Sequence, residues 1–235
     1  MTRLSGNNSN RSVLLIGTLI AAALIGLAIW AMTHKAAAPT TSGDKAVNFN
    51  LANLPFDGKA DAPVTVVAVE DFKCPACKNF QDTAAPELKT KYVDTGKVKW
   101  YTLIWPFIST QVARNPEDDS KYAAMAAKCV YDQKGNEGFS TYRDILFRAQ
   151  QTETIVWATK SYLKQLASNV DGLDTGKFAT CLDTDATAAR VEADKKQAED
   201  AGVSSTPTIF VNGKAVTITT DAVKDISAAI DTAAK

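Results

Sequence analysis

Residues 64–77 read Val64-Thr65-Val66-Val67-Ala68-Val69-Glu70-Asp71-Phe72-Lys73-Cys74-Pro75-Ala76-Cys77. The opening run is mostly β-branched and long enough for a buried strand. It ends near Asp71-Phe72-Lys73. Pro75 suits the first turn of a helix, where the N–H it lacks would be unpaired anyway. Phe80, Ala84 and Leu88 continue at helical spacing, with a kink expected at Pro86 and a stop at Gly96. The unit is therefore a strand feeding a helix through a pair of cysteines.

That junction has a chemical consequence. A thiol at a helix N-terminus meets unpaired backbone N–H groups and the positive end of the helix dipole, and both favour the thiolate. Cysteines so placed have pKa values lowered from about 8.5 into the range of about 3.5–7.5. Cys77 lies one turn further on and is able to close a small disulfide with Cys74. Cys74 then reads as the nucleophile and Cys77 as the resolving thiol, the two parts that thiol–disulfide exchange needs. The competing readings are a structural bond and half of a zinc site. Zinc would need a second cysteine pair or histidines. Cys129 and Cys181 stand apart, and His34 is the single histidine. No metal and no cofactor is therefore expected.

Beyond this unit, a second strand is expected over 98–107. Strand signals then vanish from Asn115 to Gly202, where Ala-rich and amphipathic stretches take over. Phe139, Tyr142 and Leu146 share one helical face, as do Val156, Leu163, Leu166 and Val170. Four or five helices are expected there, interrupted near Gly135, Gly172 and Gly176. Thr208-Ile209-Phe210-Val211 reads as a strand, Asn212-Gly213 as a two-residue hairpin turn, and 215–219 as the returning strand. Val223, Ile226 and Ile230 mark a final helix. Pro207, just before an apolar strand, is a candidate cis peptide with Thr206. The order of elements is α/β, with one right-handed crossover around Cys74.

The chain has 235 residues, 46% hydrophobic and 22% charged, enough to bury a real core. Its formal charge is +0, with 26 basic and 26 acidic residues, which argues against a nucleic-acid partner. There is no internal repeat, phosphate-binding glycine loop or low-complexity tract.

Residues 13–32 carry no charge and follow Arg3 and Arg11. As a helix this run spans about 30 Å, the hydrocarbon thickness of a bilayer. The basic residues put residues 1–12 in the cytoplasm and everything beyond His34 and Lys35 outside. A cleaved signal is the alternative, with Ala36-Ala37-Ala38 as the cleavage site, but a signal core is usually only about 7–15 residues. Either way the body is exported. Residues 33–44 read as a tether, and 45–235 as a soluble domain. The exported part has 23 basic residues against 26 acidic ones, a net −3. The expected location is the cell membrane, single-pass, with the catalytic domain in the cell envelope.

D-F-K-C-P-A-C-K-N-F (71–80), A-A-M-A-A-K-C-V-Y-D-Q (123–133), L-F-R-A-Q (146–150) and G-V-S-S-T-P-T-I-F-V-N-G-K (202–214) together resemble the DsbA-like thiol:disulfide oxidoreductases. The likeness is greatest to the membrane-anchored bacterial members. It implies a thioredoxin fold with an inserted all-helical domain, about 115–201, behind one N-terminal transmembrane helix. It implies that Cys74 is the sulfur that attacks or is attacked, that Cys77 resolves, and that Thr206-Pro207 is cis beside the pair. It also implies exported substrates with free thiols and a quinone-linked membrane re-oxidant, DsbB-like or vitamin-K-epoxide-reductase-like. The tether leaves no room for the dimerisation domain of the isomerases, so a monomeric oxidase is expected, with a reductase, isomerase or binding module as alternatives.

Two positions depart from the family. The dipeptide Pro75-Ala76 lacks the histidine that steadies the thiolate in the best-known oxidases. The family's buried acid, six residues before the first cysteine, is Ala68 here. Glu70 points to the same strand face, one step nearer the cysteines, and is a candidate proton relay. The plainer reading of Glu70 is a solvated or salt-bridged carboxylate at a strand end. Cys129 and Cys181 are expected to pair as a structural disulfide in an oxidising compartment, with two buried thiols or a second redox relay as alternatives.

Overall fold

The computed structural model describes residues 46–235. The expected tail, anchor and tether (1–12, 13–32 and 33–44) lie outside the described residues. No described helix is long and apolar enough to cross a membrane.

Five strands form one sheet in the order β1-β3-β2-β4-β5. They are β1 (Phe56–Asp57), β2 (Val64–Glu70), β3 (Val98–Ile104), β4 (Thr208–Val211) and β5 (Lys214–Ala215). β2 and β3 are parallel, with Val64 opposite Val98 and Glu70 opposite Ile104. The other pairings are antiparallel. Between β2 and β3 the chain crosses over through helices α1 (Pro75–Thr83) and α2 (Ala85–Leu88) and a π-helical turn, Lys89–Val93. The break between α1 and α2 falls at Ala84, two residues before Pro86, because a proline cannot continue the helix behind it.

Period-two alternation sorts the central strands between two cores. Val64, Val66 and Ala68 of β2 face α1, α2 and the last helix, α7 (Ala222–Ala233), packing with Phe80, Leu88, Tyr92, Ile226 and Ile230. Val67 and Val69 face the other way, into the insertion. Each of the buried valines contributes roughly 1.5–3 kcal/mol relative to exposure.

The insertion contains α3 (Asp119–Ala149), α4 (Lys160–Ala167), α5 (Thr175–Asp183) and α6 (Ala188–Asp200). Gly135 interrupts α3 at φ 61° and ψ −152°, a backbone that glycine adopts readily and L-residues rarely do. Gly172 sits in a connection at φ 66°, whereas Gly176 lies inside the first turn of α5 and breaks nothing. Helical structure begins ahead of residue 115, with a π-helical turn at Ile108–Val112. Capping aspartates start three helices: Asp118, Asp174 and Asp221 accept from Lys121, Lys177 and Lys224 N–H respectively.

Two strand expectations change, and one strand was not expected. β3 ends at Ile104, not 107, because the Asp71 carboxylate takes the Phe107 and Ile108 N–H groups out of strand pairing, each at 2.9 Å. The returning strand is only Lys214–Ala215, extended by one bond from Val216 N–H to the Ile209 carbonyl. The short β1 has too little apolar pattern to be read from sequence. It is held by pairing of Phe56 with Tyr101 and Asp57 with Trp100.

Candidate active site

Cys74 is the N-cap of α1, in extended conformation, and Pro75 takes the first helical position. The cysteine's N–H donates to the Asp71 carbonyl at 3.0 Å, and its carbonyl accepts from Lys78 N–H at 3.1 Å. Its side chain makes no capping hydrogen bond, and the residue stands at the N-terminus of the helix, where the first N–H groups lack intrahelical partners. Cys74 and Cys77 are both free thiols and both buried, at 5% and 0% exposure.

The two sulfurs differ sharply in acidity. The Cys77 thiol hydrogen-bonds to Cys74 and is the main reason the Cys74 pKa falls to about 6, against the opposing effect of burial. Thr206 and the backbone N–H groups of Cys77 and Ala76 lower it further. Burial drives Cys77 well above the ordinary thiol range, with the bond to Cys74 and the charge of Glu70 adding to it. A pair of groups pushed apart in this way has divided roles: near neutral pH Cys74 is the thiolate and Cys77 holds the proton. No side chain of Pro75 or Ala76 takes part.

The Thr206–Pro207 peptide is cis. Thr206 is buried, and its carbonyl oxygen lies 3.3 Å from Cys74 Sγ, accepting from it when the thiol is protonated. Its hydroxyl has no partner among the described residues. β4 starts directly after Pro207 and pairs Thr208 with Val69, so this loop stands against the end of the strand that leads to Cys74.

Glu70 is fully buried, which the plainer reading of a solvated strand end did not anticipate. Its Oε1 accepts from Gln81 Nε2 at 2.7 Å, and Oε2 has no partner among the described residues. Burial raises its pKa from 4.5 to about 7, against the opposing charge of Arg143 and the Gln81 bond. Gln81 also lines a cleft of about 330 Å³ between α1–α2 and the end of α3, alongside Lys89, Arg143 and Asp144. The carboxyl is thus coupled by charge to the buried Cys77 thiol and hydrogen-bonded to a side chain that lines an open cleft.

Behind the cysteine turn lies a polar network that sequence reasoning missed. Asp71 accepts from the Lys73, Phe107 and Ile108 N–H groups and from the Ser120 hydroxyl. Lys73 is fully buried; its Nζ donates to Asp119 Oδ1 at 2.6 Å and to the Ile155 carbonyl at 2.8 Å. Asp119 also accepts from Ser109, Trp157 and Ala158. Charged residues one place before a cysteine and at a helix start look like surface positions, so nothing local marks them as partners. Gln150, at the end of L-F-R-A-Q, donates to the Phe72 carbonyl at 2.7 Å and to the Cys74 carbonyl at 3.1 Å.

Away from the site, Cys129 and Cys181 form a disulfide that joins α3 to α5, with 52 residues of sequence separation. No cluster of metal-binding side chains exists among the described residues.

A thiol pair of divided acidity at a helix N-terminus, facing a cis-proline loop on this sheet, defines a thiol:disulfide oxidoreductase of thioredoxin fold. Comparison with known proteins agrees. The sequence profile of the family described as Thioredoxin matches residues 53–232. The chain is 33% identical to the probable disulfide bond formation protein D of Bacillus anthracis, over 66% of this chain and 68% of that one. It is 30% identical to disulfide bond formation protein D of Bacillus subtilis, over 75% and 77% respectively. The crystal structure of oxidised BdbD from Bacillus subtilis superposes with a TM-score of 0.72 at 28% identity, covering 80% of this chain and 97% of that one. Chlamydia trachomatis DsbA shares the fold, with a TM-score of 0.65 at 22% identity over 76% and 90% of the two chains. The chain belongs to the thioredoxin family and, within it, to the DsbA-like thiol:disulfide oxidoreductases.

Proposed function

We propose that this enzyme forms disulfides in exported proteins, with Cys74 as the reacting sulfur and Cys77 as its resolving partner. The observation that carries the reading is the split between the two thiols, one lowered to about 6 and the other raised by burial. A low-pKa Cys74 is a good leaving group, which favours transfer of a disulfide to substrate over retention of it. The relatives named disulfide bond formation protein D support the same direction.

A substrate thiolate attacks Cys74 Sγ, the Cys74–Cys77 bond breaks, and Cys77 leaves as a thiolate that takes a proton. A second substrate thiolate then attacks the substrate sulfur of the mixed disulfide. The substrate is oxidised and Cys74 departs as its stabilised thiolate. Extended substrate backbone docks along Thr206-Pro207, where the missing proline N–H leaves neighbouring groups free. Glu70 exchanges the Cys77 proton: it supplies it when Cys77 leaves, and accepts it when Cys77 attacks a mixed disulfide on Cys74. Gln81 and the cleft behind it connect that carboxyl to solvent.

Residues 13–32 are the membrane anchor in this reading, with the catalytic domain in the cell envelope on the 33–44 tether. A quinone-linked membrane protein, DsbB-like or vitamin-K-epoxide-reductase-like, returns the pair to the disulfide. The enzyme acts as a monomer.

The decisive experiment incubates oxidised enzyme with a reduced, unfolded secreted protein that has two cysteines. Parent enzyme should convert it to the disulfide form, and Cys74→Ser should not. A Cys77→Ser variant should instead accumulate a mixed disulfide with any disulfide-bearing partner. Equal oxidation by the Cys74→Ser variant overturns the assignment, and faster reduction than oxidation in a glutathione buffer overturns the direction. An alkaline phosphatase fused after Lys235 tests the location; an inactive fusion overturns it.

A further inference from the structure

The segment that delivers the reacting sulfur is held from outside its own domain. Phe72 and Cys74 present carbonyls on either side of Lys73, and a single side chain, Gln150, donates to both, at 2.7 and 3.1 Å. Gln150 is the residue at which α3 ends; its backbone has already left the helix at φ −55° and ψ 132°. Lys73 is fastened to the same insertion through Asp119 and Ile155. The Phe72-Lys73-Cys74 tripeptide therefore has its two outer carbonyls and its central side chain bonded to the insertion.

We propose that Gln150 is a positioning residue for the reaction: its amide holds the strand-to-helix turn in the geometry that sets Cys74 at the N-terminus of α1. The inference rests on the reading of Cys74 as the reacting sulfur. The Cys74 carbonyl is also the first acceptor of α1, taking Lys78 N–H at 3.1 Å. Its orientation thus sets the first turn, at whose N-terminus Cys74 stands. Releasing the carbonyl lets the peptide rotate and shifts the sulfur relative to the positive end of the helix, so the thiolate loses stabilisation. Lys73 cannot compensate, because its ammonium is committed to Asp119 at 2.6 Å. The insertion, in this view, tunes the nucleophile as well as covering it.

The test is the pH dependence of iodoacetamide alkylation of the reduced, full-length chain in detergent, with the labelled cysteine located by mass spectrometry. Gln150→Met keeps the length of the side chain and removes both donors. It should raise the midpoint for Cys74 and slow its alkylation at a pH near 6 by about 3- to 10-fold, the worth of one ordinary hydrogen bond. At a pH above the ordinary thiol range the two rates should converge. Gln150→Glu, which turns the donor into a charged acceptor, should shift the midpoint further. It also serves as the second variant if the methionine chain does not fold. Phe178→Ala, which removes a buried ring packed on Tyr142 elsewhere in the insertion, should lower the melting temperature and leave the midpoint alone. An unchanged midpoint in both Gln150 variants, with label still on Cys74, overturns the inference and spares the assignment of Cys74. An equal shift in Phe178→Ala also overturns it, since general loosening would then explain the effect. Label on Cys77 in the parent overturns the assignment of Cys74 itself.

Discussion

Glu70 accepts a hydrogen bond from Gln81 at 2.7 Å while its second oxygen, fully buried, meets no partner among the described residues. A carboxyl left half-satisfied beside a buried thiol is costly to ionise, and its pKa is raised to about 7 for that reason, burial first. Glu70→Gln removes the exchangeable proton and keeps the shape. Release of the mixed disulfide by Cys77 attack on Cys74 should slow by at least about tenfold, the modest side of what a positioned acid–base group contributes. Release by a second substrate thiolate, which does not involve Cys77, should change less. Stopped-flow release rates measured from about pH 5 to about pH 8, the range such a carboxyl covers, provide the check. Rates equal to the parent's throughout leave Glu70 as scaffolding.

The same group has a stability signature of definite sign. Between pH 4.5 and about 7 native Glu70 keeps its proton while the unfolded chain releases it. The native state binds more protons there, so the contribution of Glu70 to stability declines as pH rises through that window. Glu70→Gln should flatten this decline and be relatively more stable than the parent above pH 7. Melting curves of parent and variant across the window test it; parallel curves contradict a buried, raised carboxyl.

Cys74 works in the opposite sense, and only in the reduced enzyme. Its pKa is lowered from 9.0 to about 6, first by the Cys77 hydrogen bond, so above pH 6 the native state has released a proton that the unfolded chain retains up to about 9. The reduced form therefore gains stability as pH rises from 6 to 9, whereas the oxidised form has no such titration. The melting temperature of reduced enzyme, relative to oxidised, should climb across this range. Cys74→Ser, which cannot form the bond, should show no climb when measured against the oxidised parent. A flat difference in the parent means that the thiolate is not stabilised.

The Lys73–Asp119 pair predicts an asymmetry between its two partners. Both side chains are fully buried. Asp119→Ala strands the ammonium and also removes the acceptor for Ser109, Trp157 and Ala158, and should cost about 3–5 kcal/mol. Lys73→Met leaves the carboxylate with those three donors, and should cost less. Urea unfolding of the two variants measures the order, and equal losses would show that the bonds to Ser109, Trp157 and Ala158 contribute little.

Cys129–Cys181 joins residues 52 apart in sequence, a loop for which chain entropy sets a contribution of about 4 kcal/mol. Replacing both with serine should lower the melting temperature and leave oxidase turnover near the parent's. Lost turnover at unchanged stability points instead to a second redox relay.

The β2 run and the Cys-Pro-Ala-Cys junction were legible from sequence because each is a local signal. Alternating burial reports itself through β-branched residues, and a cysteine before Pro75 meets helix N–H groups whatever surrounds it. The Asn212-Gly213 hairpin and the Phe139-Tyr142-Leu146 stripe were legible for the same reason, whereas the expected stripe from Val156 to Val170 is cut short, since α4 spans only Lys160–Ala167. The acidity of the site was not. Glu70 looks like an ordinary strand end until Gln81, Arg143 and the packing of the sheet enclose it, and desolvation depends on neighbours distant in the chain. Asp71, Lys73 and Asp119 read as surface charges until the insertion folds over them, and Gln150 is 76 residues from the carbonyl it holds. Spacing along the chain determines which groups a turn of helix brings together. The protonation of those groups, and their exact bearing on one another, is set by burial and by long-range hydrogen bonds, and those exist only once the insertion has closed on the sheet.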